Sequence, residues 1–213
     1  IYASGTVYGR ARDTQDVSVD VLGAAAGVVA GARLVIGVAD HRSQVKLDVA
    51  PQASLDARDI DLASLSESAV SLVGRGGSGG ILAGVNATIL VARDRSGSIL
   101  TVGEDAGLDA GQRLSLAAEA RPHVNVDSVG VALGGLISAG GTIAVADVGS
   151  DAGVDIQSGV RLAASDAGIG SRVGLNAAGD SARVVGYGVS GGAGVAVNAV
   201  VATARNQSSS RLT

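Results

Sequence analysis

The chain has 213 residues, 33 of them glycine, and 16 basic against 20 acidic residues give a formal charge of −4. It contains no Cys, Met, Trp or Phe and only three Tyr, yet 46% of it is apolar, so a core must be thin and built from small aliphatic side chains. This excludes a disordered chain, collagen with its strict Gly-X-Y period, disulfides and thiolate-bound metal, and the core of an ordinary α/β enzyme. Fifteen of the 16 bases are Arg and one is Lys46, with no basic block, which excludes a nucleic-acid partner.

Along the chain, apolar residues alternate with polar ones at Val17/Val19/Val21, Val45/Leu47/Val49, Ile60/Leu62, Leu114/Leu116, Val124/Val126, Val160/Leu162 and Val195/Val197. A period of two predicts strands. Gly, Asp, Asn and Ser fill the gaps and predict turns. Gly interrupts nearly every window that could propagate a helix.

Internal repeats organise these strands. Val49 to Ala57 followed by Ile60-Asp-Leu62-Ala63 returns as Val102 to Ala110 with Leu114-Ser-Leu116-Ala117, and as Val148 to Ile156 with Val160-Arg-Leu162-Ala163. A partial fourth copy is Ala167-Gly-Ile169 followed by Val173-Gly-Leu175-Asn-Ala177. A second phrase ends at Asp40, Asp94, Asp147 and Arg205, which sets a unit of roughly 55 residues. The repeats run approximately 17–68, 69–121, 122–181 and 182–213, in one continuous domain over 1–213 without a linker. Short strands, turn punctuation and a repeat predict an all-β, right-handed parallel β-helix, or β-solenoid, with coils bonded to their neighbours. The step from Ala152 to Ala167 reads as one short coil. The predicted stacked core is Val45, Leu47, Leu55, Leu62, Leu108, Leu116, Val154 and Leu162. Asp56, Asp109 and Asp155 are the predicted repeat turn residues, their carboxylates capping turns; the calcium-binding G-G-x-G-x-D phrase is absent.

Several phrases imitate chemistry. Gly74-Arg-Gly76-Gly-Ser-Gly79 matches G-x-G-x-x-G, but a dinucleotide site needs a following helix, and Gly84 and Asn86 interrupt the stretch where it would lie. Asp94, at the ribose-binding distance, reads as the repeat partner of Asp40 and Asp147. Ser78 and Ser190 each sit in G-x-S-x-G; two copies in equivalent segments read as structural, because a catalytic centre is unique and needs a His and an acid. His41 and His123 read as solvated turn residues, too few for a metal site. Val184 to Ala204 is uncharged and long enough to span a bilayer, but its glycines and Asn198 suit a buried strand pair with a tight Gly turn. We therefore expect no catalytic residues, cofactor or metal, and no membrane insertion by this segment.

Gly192-Ala-Gly194-Val-Ala-Val197-Asn198-Ala-Val-Val201-Ala-Thr203, with the A-x-L-x-A and L-x-L-x-A phrases at 49–63, 102–117 and 148–163, resembles the repeats of the leukotoxin and filamentous-haemagglutinin-like family of bacterial surface adhesins. The chain departs from that pattern in its low Thr content and its Arg and Asp insertions. The resemblance implies a β-helical passenger exported by a type V route, extracellular or on the bacterial cell surface, with no catalytic residues. The expected function is a non-catalytic shaft or stalk segment of a large adhesin or filament. Ile1 in place of an initiator Met, and an array broken in mid-repeat, lead us to expect the rest of a longer parent chain as partner, with a host-cell or matrix ligand elsewhere and possible end-to-end self-association. The alternatives are a self-assembling extracellular filament or sheath protein, and a fragment of a carbohydrate-active β-helix enzyme; the latter would need paired carboxylates and sugar-stacking aromatics, and Tyr2, Tyr8 and Tyr187 are scattered.

Overall fold

The computed structural model describes residues 1–173 and 182–213, and within these it is all-β with no helix. The strands are β1 (Tyr2–Gly27), β2 (Ala30–Val49), β3 (Ser54–Gly80), β4 (Ala83–Val102), β5 (Gly107–Gly134), β6 (Ile137–Val148), β7 (Asp151–Ile156), β8 (Arg161–Val173), β9 (Ala182–Gly191), β10 (Val195–Asn206) and β11 (Ser209–Leu212). They form two sheets. In the first, β1, β3 and β5 lie side by side, and β8 and β9 together cover the far side of β5. In the second, β2 and β4 lie side by side, β6 and β7 together cover β4, and β10 and β11 cover β6 and β7. Every pairing is parallel.

The chain passes from one sheet to the other and back. Val7 lies beside Ile60, which lies beside Leu114, which lies beside Ala167. The offset between partners is 53 residues at Val7 and Ile60, and 58 at Val124 and Ala182. Among the described residues four circuits result, beginning at 1, 54, 107 and 161.

The strands are far longer than the alternating stretches suggest. β3 has 27 residues, about 90 Å of extended chain. Its alternation persists through Ser64, Ser66 and Ser68, which occupy inward positions as Leu62 and Val70 do. The inward set is polar there, so the strand continues where an apolar count stops.

Tight turns join the sheets at one end of the sandwich, around 28–29, 81–82, 135–136 and 192–194. At the other end the turns place Gln52, Asp105 and Gly159 in the left-handed region, with φ of 60°, 56° and 73°. Gln52 N–H donates to Glu104 C=O, and Asp105 N–H to Ser158 C=O, so these turns are stacked like the strands.

Two corrections to phase follow. Ala152 lies in β7 of one sheet and Ala167 in β8 of the other, so the step between them is part of a circuit, not one short coil. Val148 to Ile156 pairs with 94–102, and Leu108 pairs with Leu162, so the third copy of the first phrase is displaced by about eight residues from its structural equivalent. The closing part of the fourth copy, 174–177, lies outside the described residues.

The interior holds two apolar clusters side by side. One contains Leu55, Ile60, Leu62, Leu100, Val102, Leu108, Leu114, Leu116 and Val154. The other contains Val70, Leu72, Leu90, Val124, Val126, Ala144, Ala146 and Val148. Both lie mainly in the middle circuits. Val45, Leu55, Leu62, Leu108, Leu116 and Val154 are buried, whereas Leu47 and Leu162, on outer circuits, are partly buried. The expected buried strand pair over 184–204 is not found: β9 and β10 follow one another across a tight turn but lie in opposite sheets, paired to β5 and β6, and β10 is exposed almost throughout because nothing covers its layer.

Candidate functional site

Between the apolar clusters runs a polar seam. From the first sheet, β3 sends in Ser64, Ser66 and Ser68; from the second, β4 sends in Asp94, Ser96 and Ser98, all buried. Ser98 donates to Ser64 at 2.8 Å, Ser68 Oγ and Ser96 Oγ lie 2.9 Å apart, and Ser96 lies 3.0 Å from Ser150 in the next layer. Ser68 also lies in a short hydrogen bond with the Asp94 carboxylate. His41 stands beside Asp94 in register on β2 and is itself buried. Its Nε2 and the Oδ1 of Asp94 have no hydrogen-bond partner. Burial pushes the Asp94 carboxyl above the usual carboxylate range, against hydrogen bonding to Ser68 and the charge of His41.

Ser, His and Asp thus meet, but not as a nucleophilic triad. A nucleophilic serine gives its proton to the histidine. Here Ser68 faces Asp94, and His41 Nε2 bonds to nothing. The seam lies between two sheets, and the hydroxyls of Ser64, Ser68, Ser96, Ser98 and Ser150 bond to one another, whereas Ser66 Oγ has no partner.

This seam corrects the reading of Asp94 as the partner of Asp40 and Asp147. In the structure Asp40 pairs with Arg93, and Asp94 pairs with His41 and Val148. The difference is one residue, which turns a side chain to the opposite face of a sheet. Asp40 is on the outside and Asp94 on the inside. His41 and His123 lie in strands β2 and β5, not in turns. The same holds for Asp56 in β3, Asp109 in β5 and Asp155 in β7. Asp56 and Asp109 are outward neighbours in the first sheet, whereas Asp155 sits in the second beside Thr101. Gln52, Asp105 and Gly159 hold the strained turn positions instead.

The glycine motif has a packing explanation. Gly23, Gly76, Gly130 and Gly188 form one in-register column. Opposite it, Arg33, Asn86, Gly140 and Asn198 form another. A Cβ at Gly76 would fall 1.9 Å from Arg33 Nη1, and one at Gly188 2.4 Å from Asn198 Nδ2. Gly74 leaves room for Leu90. No helix follows Gly79; the chain enters β4. Ser78 is buried without a hydrogen-bond partner, in the same column as Ala132 and Ser190.

On the outer face of the first sheet, charges form a ladder. Arg12, Glu67, Arg121, Glu119 and Arg172 are linked in sequence and touch all four circuits. Hydrogen bonding from Arg12 leads in holding the Glu67 carboxyl below the usual range, helped by the charges of Arg12 and Arg121. Nearby, register shifts at Ala57/Asp59 and Ala110/Arg113 open a shallow groove of about 460 Å³ lined by Thr6, Tyr8, Arg58, Asp59, Asp61 and Arg113 among others. Asp59 and Asp61 flank the buried Ile60 and face outward, but Arg58 lies 3.7 Å from Asp59 and Arg10 3.0 Å from Asp61. Each carboxylate is already tied to a guanidinium, so the groove suits binding of a polar ligand better than acid–base chemistry. Among the described residues no group of three or more metal-ligating side chains comes together, and no helix is long and apolar enough to cross a membrane.

No protein-family model, curated protein or solved structure matches this chain.

Proposed function

We propose that the chain is a segment of a right-handed β-solenoid that acts as a non-catalytic shaft in a large secreted or cell-surface bacterial protein of the filamentous-haemagglutinin kind. The supporting observation is the parallel stacking of circuits among the described residues, each strand of both sheets lying beside its equivalent one circuit away, with register shifts only at 3–6, 57–59 and 110–113. Parallel crossovers are right-handed in nearly all sheets, which supports the handedness. In such an array each circuit bonds mainly to its neighbours, so stiffness and length accumulate along one axis. Ser68 and Asp94 join the two sheets inside one circuit, and Arg12 and Glu67 join two circuits on the outside.

Small-angle X-ray scattering on the chain and on a tandem duplicate tests the shaft. Four added circuits should lengthen the particle by about 19 Å along the stacking axis, with its cross-section unchanged. A duplicate that widens instead would overturn the reading. Turnover in a screen of acidic and neutral polysaccharides would overturn the non-catalytic role. Antibody labelling of intact cells of the producing bacterium should equal labelling of lysed cells; signal only after lysis would refute the surface location.

A further inference from the structure

The outer face of the second sheet is apolar over the half that adjoins the tight turns. One outward column there holds Asp40, Arg93, Asp147 and Arg205, so the sign of charge alternates from layer to layer. Between this column and the turns lie five more outward columns, over 30–38, 83–91, 137–145 and 195–203. Every position in them is Ala, Gly, Val, Leu or Ile except Thr203. Ile36, Ile89, Ile143 and Val201 form the bulkiest column. Arg33, the one charged residue within these stretches, points inward onto Gly23 and Gly76. Val85, Ile137 and Ile143 are 44%, 53% and 42% exposed although a strand lies on either side of each, so the exposure belongs to the face and not to an edge.

The apolar area extends about 33 Å along the strands and about 19 Å across the four layers, roughly 600 Å². Monomeric proteins rarely leave a continuous apolar patch of that size open. The face is also regular. No register shift interrupts the pairings of β2, β4, β6 and β10, whereas the first sheet shifts at three places. Over the same span the first sheet carries Asp20, Arg75 and Asp127 on its outside. A lipid surface is not favoured as the occupant, because interfacial contacts rest on aromatic and basic anchors. All three Tyr lie in the first sheet, Trp and Phe are absent, and the column beside the face holds as many Asp as Arg.

We propose that two copies of this chain pair side by side through this face, related by a two-fold axis parallel to the strands. The two sheets then pack face to face about 10 Å apart, as in a sandwich. The axis reverses the order of the layers, so Asp40 of one copy faces Arg205 of the other and Arg93 faces Asp147, each contact occurring twice. Every pair in the charged column is then opposite in sign. The axis passes between the two middle layers, so the match of Arg93 with Asp147 does not depend on how far the array continues. One like pair, Lys46 with Arg211, falls about 20 Å beyond the charged column, where exposed charges are screened by salt. The two faces together bury about 1,200 Å², the lower bound for a specific interface, and each further circuit of a longer array adds about 160 Å² per copy. The occupant is a second copy because the column bordering the face is complementary to itself under this axis. The pairing goes beyond the shaft reading: it rests on the stacked circuits and not on the shaft's role or location.

Sedimentation velocity across a concentration series tests this. The parent chain should pass from 20.6 kDa to twice that mass as concentration rises. Ile143→Lys puts two lysines into the apolar contact of each pair and should weaken association by more than about a hundredfold. Its circular dichroism when dilute should stay parental, because Ile143 faces outward. Arg93→Asp alone sets Asp against Asp147 twice in each pair, and Asp147→Arg alone sets Arg against Arg93 twice; each should associate about threefold to thirtyfold more weakly. The equimolar mixture of these two variants makes every pair in the charged column opposite in sign and should recover parental association. That rescue keeps the test decisive where Ile143→Lys disturbs folding. A parent that stays a monomer with full β-sheet signal overturns the proposal and leaves the shaft reading standing. Association indifferent to Ile143→Lys and to both charge reversals overturns it too, by placing the contact elsewhere. A monomeric parent that floats with phosphatidylcholine vesicles overturns it in favour of a lipid surface. A parent without β-sheet signal overturns both this proposal and the shaft reading.

Discussion

Asp94→Asn should stabilise the protein at neutral pH. The Asp94 carboxyl is fully buried, and its Oδ1 accepts no hydrogen bond. Asparagine keeps the shape and an oxygen for Ser68 while removing the charge. A buried acceptor left unsatisfied costs about 1–3 kcal/mol, more when charged. The amide leaves its own N–H groups short of partners, so only part of that cost is recovered, about 1–2 kcal/mol. In a chain of this size that raises Tm by roughly 2–8 °C. The pH dependence fixes the cause. An acid whose pKa is raised on folding binds its proton more tightly in the folded state, so stability falls as pH rises from the unfolded pKa, about 3.9, through the higher folded pKa. The advantage of Asp94→Asn should be absent below that window, grow across it and then stay constant. Urea denaturation of both proteins at a series of pH values measures the difference, in which titrations common to both cancel. A variant less stable at neutral pH, or a difference that does not change with pH, would refute the assignment of Asp94 as a buried carboxylate opposed by desolvation.

Glu67→Gln should act in the opposite sense. The Glu67 pKa is lowered by Arg12 and Arg121, so its contribution is present above the unfolded carboxyl pKa and fades as pH falls through the folded one; the partly exposed pair limits the loss to about 0.5–1 kcal/mol, read from the same denaturation series. Leu116→Asp buries an unpaired charge in a residue 1% exposed and should cost about 3–5 kcal/mol; an unchanged melting curve would remove Leu116 from the interior. Gly80→Ala should cost more than Gly76→Ala. A Cβ at Gly80 falls 2.2 Å from the Ala83 backbone oxygen, whereas one at Gly76 meets the movable end of Arg33. We expect about 2–3 kcal/mol against about 1, with Arg33→Ala relieving the Gly76→Ala loss in a double-mutant cycle by thermal melting.

Strands, the absence of helix and a unit near 55 residues were legible because side chains inside a sheet sandwich alternate and neighbouring layers repeat. The matches Val17 with Val124, and Leu55 with Leu108, are true register or near-register relations. What stayed hidden was phase. Matching Asp40 to Asp94 by residue type is one step from the real pairing with Arg93, and one step in a strand exchanges inside for outside. The seam itself was hidden because Ser64, Ser66 and Ser68 carry no apolar signal, and only their opposition to Asp94, Ser96 and Ser98 gives them an inward role. The signal that could have found it is the serine spacing: Ser64-Leu-Ser66-Glu-Ser68 and Ser96-Gly-Ser98 keep the strand period. Asp56 and Asp109 suggested turns by composition, yet a turn is fixed by backbone geometry, and Gln52 supplies it directly after Pro51, in a turn closed by Ala53 N–H donating to Ala50 C=O.

The seam between the two apolar clusters also divides the molecule mechanically. Each cluster is continuous from layer to layer, but across the width of the sandwich the two are joined only by the strand backbones and a row of hydroxyl and carboxylate contacts. Damage in one cluster therefore spreads more readily up the stack than sideways. Under load such a body should lose one long margin before the other, like a plank splitting along its grain.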